Sequence, residues 1–157
     1  MEHAYRDVYE RYLDDLSPGD RFRHWPGRTI TEAANNAFCF WTQNTQPLHI
    51  DYEYAAKSQH GRPLVNGLLV LSIAVALSIP NLSGATIANL SYDRVEHLGP
   101  VFIGDTIYSE TEVLDVRSSR SRPDRGIVTA MTVVTNQRGK KVLTFQRKFM
   151  LGKSRTV

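Results

Sequence analysis

The run Asn44-Thr45-Gln46-Pro47-Leu48-His49-Ile50-Asp51 gathers residue types that move protons. Histidine changes charge between about pH 5 and 8, so His49 can take a proton and return it, and a carboxylate follows two residues later at Asp51. A second carboxylate upstream would assist acid/base chemistry of this kind. That position holds Asn44, whose amide can orient a water but can neither take nor give a proton. Each group also has a structural role open to it: Asn44 suits the turn that ends a helix, and Asp51 suits the N-cap of the next one.

Helices and a sheet must position these groups, and the residue pattern outlines them. "DRFRHWPGRTIT" alternates like a short strand that ends in a turn at Pro26-Gly27. "EAANNAFCFWTQN" predicts a helix capped by Thr29 or Thr31, with Glu32 in its first turn and Ala34, Ala37, Phe38 and Trp41 on one packed face. Tyr52 and Tyr54 read as packing residues as well. Asp51 opens a second short helix, "DYEYAAKSQ", so His49 sits just before a helix start and behind the rigid Pro47. In "GRPLVNGLLVLSIAVALSI" the span 68–79 is apolar on nearly every side, which predicts a helix buried all round. "ATIANLSYDRVEHL", "DTIYSETEVLDVRSS", "GIVTAMTVVTNQ" and "KKVLTFQRKFMLG" alternate in polarity, with turn signals between them at Gly99-Pro100, Gly104-Asp105, Pro123 to Gly126 and Arg138-Gly139. Four long strands after one apolar helix predict an α+β fold, an antiparallel sheet curled around a long central helix.

A chain of 157 residues with 41% hydrophobic residues and no internal repeat predicts one domain over 1–157, with a charged leader at 1–19. That leader lacks the apolar stretch of a signal peptide, and no apolar run reaches the roughly 18 residues of a membrane span. Together with the single Cys39, this predicts a cytoplasmic protein in a reducing compartment. His3, His24, His60 and His97 show no metal-ligand spacing and receive no role. The net charge of +3 suits an anionic ligand but does not mark a nucleic-acid protein. Its placement is uneven: "RSSRSRPDRG" packs Arg117, Arg120, Arg122 and Arg125 around one acid, with no aromatic residue between them.

The stretches "NTQPLHIDYEYAA", "GRPLVNGLLVLS" and "PVFIGDTIYSETEV", in that order, resemble the MaoC-like hydratase/dehydratase family. These are hotdog-fold enzymes that include (R)-specific enoyl-CoA hydratases, and the resemblance runs from about Thr31 to Phe149. Asn44 stands where the family has an aspartate and Gln46 where it has an asparagine; Pro47, Leu48 and His49 match. Asn66-Gly67 takes the place of a histidine-glycine pair. The resemblance implies addition of water to an α,β-unsaturated CoA thioester, or its removal, with His49 as proton relay. It also implies that backbone N–H groups around Asn66 and Gly67, at the positive end of the apolar helix, face the thioester oxygen.

With Asn44 in place of the aspartate, three routes stand open: His49 acts alone while Asn44 holds the water, Asp51 or Glu53 supplies the carboxylate, or the site does not hydrate. The asparagine form of "NTxPLH", together with "GRPLVN" and "SRSRPDxG", resembles a branch associated with mesaconyl-CoA and itaconyl-CoA, which favours the first route. CoA ends in phosphates, so Arg120, Arg122 and Arg125, and also Arg62 and Arg94, become candidates for a phosphate or a substrate carboxylate. No metal or bound cofactor is implied, because CoA arrives with the substrate. An open sheet edge implies a homodimer at least, with pockets at the interface, and neither nucleic acid nor membrane as partner.

Two other functions compete. A hotdog thioesterase needs an acid on the long helix, where "GLLVLSIAVALSI" offers none. A noncatalytic acyl-CoA-binding module is supported by Asn44 and opposed by the retained His49.

Overall fold

A computed structural model describes residues 11–153. The elements are β1 (Arg21–Thr29), α1 (Glu32–Thr42), α2 (Pro47–Ile50), α3 (Tyr52–Lys57), α4 (Gly67–Leu77), β2 (Thr86–His97), β3 (Thr106–Ser118), β4 (Arg125–Asn136) and β5 (Lys141–Gly152). The five strands form one sheet in the order β1-β3-β4-β5-β2, every neighbour antiparallel. Along β4 each second residue is buried, the period expected of a strand with one face against a core. The predicted α+β hotdog architecture is what the chain adopts.

Pro26-Gly27 is not a turn. β1 runs on to Thr29 through a bulge, where its register against β3 slips between His24 and Arg28. Glycine is required there, because a Cβ on Gly27 would lie 2.5 Å from Tyr108 Cε1 and 2.8 Å from Ile107 O.

Thr31 caps α1, its Oγ1 accepting from Ala34 N–H at 3.2 Å. The helix closes at Gln43, which takes left-handed geometry at φ 53°, so the C-cap is the residue before Asn44 and not Asn44 itself. The buried face is Asn35 and Cys39, with Phe38 half-buried. Ala34 and Trp41 are exposed, which corrects the expected stripe by about one residue; Tyr52 and Tyr54 on α3 are exposed too. An asparagine can replace an apolar residue inside because both ends of its amide find partners, as described below.

α4 spans 11 residues, about three turns. Leu69, Val70 and Ala74 pack into the main core with Ile30, Ile107, Val134 and Phe145. Leu68, Ser72 and Ala76 form an exposed stripe, Leu68 at 58%, so the helix is not buried all round within one chain. The reason is geometric: a single five-stranded sheet covers only one side of a helix. A second cluster holds Leu13 and Leu16 against Leu82, Val128, Phe149 and Leu151. The end of the charged leader is therefore a core element, while residues 1–10 lie outside the described part. No helix among the described residues is long and apolar enough to cross a membrane.

Candidate active site

His49 is the third residue of α2, a single turn opened by Pro47. Gln46 caps that turn, its side chain accepting from Leu48 N–H at 3.5 Å. His49 Nδ1 lies 3.0 Å from Leu64 O. A carbonyl only accepts, so Nδ1 carries the hydrogen and Nε2 presents its lone pair as the base.

The start of α4 is fixed from two directions. Val65 N–H donates to Val101 O at 2.9 Å, and Asn66 N–H donates to Asn35 Oδ1 at 2.9 Å. The other end of the same amide, Asn35 Nδ2, donates to His49 O at 3.1 Å. Asn35, fully buried, thus ties the histidine turn to the helix start. Asn66 Oδ1 accepts from Leu68 N–H at 2.9 Å, a side-chain N-cap. These bonds correct one expectation: the Asn66 N–H is consumed by Asn35, so of the pair Asn66-Gly67 only the Gly67 N–H remains to meet a ligand oxygen.

His49 and Gly67 line one cleft of about 480 Å³, together with Val70, His97, Val101 and Val142. No carboxylate lines it. His60 joins the rim, and His97 enters from the last residue of β2. Asn44 lines an adjoining hollow of about 710 Å³ with Cys39, Trp41 and Ile50. Its Oδ1 accepts from Gln46 N–H at 3.0 Å, and its own N–H donates to Cys39 O at 2.9 Å, so it builds the turn between α1 and α2. Within one chain, Asn44 and His49 do not share a hollow.

The other candidates separate further. Asp51 caps α3 through Tyr54 N–H at 2.9 Å, and Glu53 is exposed in its first turn. Arg62 stacks on Phe102 at 3.8 Å, two residues from Leu64 of the cleft wall. Arg94 is exposed at a bulge of β2, with φ 50°. Arg120 and Arg122 are exposed in the β3–β4 hairpin, where Arg125 is held by Asp124 through bonds of 3.0 and 2.9 Å. That hairpin follows the C-terminal end of β3, and none of its arginines lines the cleft. Among the described residues no group of three or more His, Cys, Asp or Glu could hold a metal ion. The residues missed by pattern reading are Asn35 and His97. A polar residue on the inward side of α1 was the available signal for Asn35; nothing local distinguished His97.

The fold and this cleft define a hotdog domain of the MaoC type. The family model described as MaoC like domain matches residues 15–142, and the chain belongs to that family. It is 34% identical over 126 residues to a beta-methylmalyl-CoA dehydratase of Chloroflexus aurantiacus, covering 80% of this chain but 35% of that protein. It is 32% identical over 108 residues to an (R)-specific enoyl-CoA hydratase of Aeromonas caviae, covering 69% of this chain and 76% of that one. A double-hotdog protein of Mycobacterium tuberculosis superposes with a TM-score of 0.84 at 28% identity, over 96% of this chain and 46% of the other. The chain thus spans about a third of the Chloroflexus dehydratase and about half of the double-hotdog protein.

Proposed function

We propose that this chain is a hydro-lyase that adds water to an enoyl-CoA thioester, or removes it, with His49 as the proton relay. The observation that carries the reading is the His49 Nδ1–H bond to Leu64 O, which aims a basic Nε2 into the cleft that also holds the Gly67 N–H. In hydration, Nε2 takes a proton from water as oxygen bonds to the β-carbon. The imidazolium then returns a proton to the α-carbon, while the Gly67 N–H stabilises the negative charge on the thioester oxygen. One group acting as base and then acid needs no second carboxylate, consistent with a cleft that has none.

The acyl group we assign is short and branched or dicarboxylic, of the mesaconyl-CoA or itaconyl-CoA type. The support is the named activity of the relatives and the cationic Arg62 beside the cleft. Asn44 is proposed to orient water from the adjoining hollow, which Ile50 beside His49 also lines: its Oδ1 is engaged in the turn, which leaves Nδ2 as the donor. A second copy of the chain is part of the proposal, since β2 is an open edge and the Leu68–Ser72–Ala76 stripe of α4 lies beside no strand of its own sheet. A cytoplasmic location is supported by the free, buried Cys39 thiol.

Wild type, His49→Ala and Asn44→Asp, assayed with crotonyl-, mesaconyl- and itaconyl-CoA by loss of enoyl absorbance and by thiol release, test this. Loss of the general base is expected to lower kcat/KM by about 100-fold or more. Unchanged hydration in His49→Ala would remove His49 from the mechanism. Thiol release without hydration would make the protein a thioesterase, and an inert wild type that gains activity as Asn44→Asp would make it either a binding module or an enzyme for an acyl group outside the three offered.

A further inference from the structure

We propose that His97 is a second substrate-contacting side chain of this site, donating a ring N–H to the thioester oxygen beside the Gly67 N–H. The inference rests on the hydratase reading above and deepens it. Charge that develops on a thioester oxygen is usually met by two donors, and the α4 N-terminus is short of them. Asn66 N–H is bound to Asn35 Oδ1 and Leu68 N–H to Asn66 Oδ1. Gly67 N–H and Leu69 N–H are left without a partner among the described residues, but of the two only Gly67 lines the cleft, and one backbone donor makes half an oxyanion hole.

His97 stands where the second donor is needed. A Cβ built on Gly67 would meet His97 Cε1 at 2.6 Å, Nε2 at 3.1 Å and Nδ1 at 3.2 Å. The nitrogen-bearing edge of the imidazole therefore lies directly against Gly67, and only a residue without a side chain leaves it that room. Neither His97 nitrogen has a hydrogen-bond partner among the described residues. The other described histidines differ: His49 Nδ1 is committed to Leu64 O, both nitrogens of His24 are bonded, and His60 sits edge-on to Phe102 beside Gln59. The remaining wall on this side is Leu98, Gly99, Pro100 and Val101, which offers no side-chain donor. His49 and His97 then divide the work. His49 moves the proton; His97 makes and breaks no bond and holds the oxygen.

The test compares wild type, His49→Ala, His97→Phe and His97→Gln on whichever enoyl-CoA wild type hydrates, with kcat and KM measured separately and butyryl-CoA binding followed by calorimetry. Phenylalanine keeps a flat ring over Gly67 and removes both nitrogens. The expected result is a kcat lowered about 100-fold in His97→Phe, the scale of losing one oxyanion donor. KM and butyryl-CoA affinity should stay within a few fold, and the amide of His97→Gln should restore part of the rate. A His97→Phe enzyme with wild-type kcat, or a His97→Gln no better than a His97→Phe of equal melting temperature, overturns the assignment. Wild-type kcat in His97→Phe while His49→Ala is dead would sink this inference and leave the hydratase standing; a wild type inert on every enoyl-CoA sinks both.

Discussion

Two buried polar side chains show how single residues set this molecule's properties. Asn35 joins His49 O to Asn66 N–H, so its loss orphans a buried acceptor and a buried donor at once. Asn35→Ala should destabilise the fold by about 1–3 kcal/mol in urea titration and lower kcat beyond what unfolding explains, because the base and the helix start would no longer be held together. Equal kcat per folded molecule would limit Asn35 to a structural part. His24 is the other case. Asn81 Nδ2 donates to Arg23 O at 3.1 Å, so Asn81 Oδ1 accepts from His24 Nδ1–H at 2.7 Å. Nε2 pairs with the Thr111 hydroxyl at 2.8 Å, and that hydroxyl, which also pairs with Thr132, donates to a neutral ring or accepts from a charged one. Burial pushes the His24 pKa below its usual 6.5, against the opposing pull of the Asn81 bond and Glu110. The unfolded chain therefore binds the proton first as pH falls. The contribution is full above about 6.5 and is lost as pH drops from there toward the folded value. Melting temperature should decline from about pH 7.5 to 5.5, and a His24→Gln variant should decline less steeply.

At the scale of elements, close approach of backbone decides what each turn and helix start tolerates. A Gly67→Ala substitution favours the helix by propensity, yet its Cβ would strike the His97 ring, which is exposed and free to swing away. Little change in melting temperature is expected, alongside a fall in kcat/KM of about tenfold or more as the donors at the helix start are displaced. An enzyme as active as wild type would mean that the α4 start does not touch substrate. Gly126 has no such escape: a Cβ there would collide with Arg117 O on the paired strand and with Leu13, so Gly126→Ala should be among the more destabilising single changes, which thermal melting would reveal. Among the described residues, buried Arg147 has no carboxylate partner. It bonds Asn89 and the hydroxyls of Ser78 and Ser83 at the C-terminal end of α4, where a positive charge meets the helix dipole, and burial lowers its pKa.

The whole molecule presents apolar surface that one chain does not cover. Ile87, Leu90, Tyr92 and Val95 are exposed on β2, the edge strand, in addition to Leu68 on α4. An uncovered apolar edge is a template for another strand, and a second copy of the chain is the occupant proposed above. Light scattering should return twice the 17.8 kDa of one chain. Leu90→Lys should shift that mass to the monomer and take the hydratase activity with it; a fully active monomer would show that one chain holds the complete site.

Much of this was legible in the residues. Thr31 and Asp51 were recognisable as caps because local side-chain oxygens reach backbone N–H groups two or three residues on, and β3, β4 and β5 because alternation survives wherever one face is buried. The bulge at Pro26-Gly27 looked like a turn, since both use the same residue types and only the pairing with β3 separates them. Periodicity could not place Asn35 inside, because its burial depends on partners 14 and 31 residues away. The sequence by itself determined the family, the strand and helix order, and His49 as the proton carrier proposed here. Tertiary structure alone decided that Asn66 N–H is spent and that His97 arrives at Gly67 from β2. Those are long-range meetings, set by how the sheet closes on the helix rather than by any local preference of the chain.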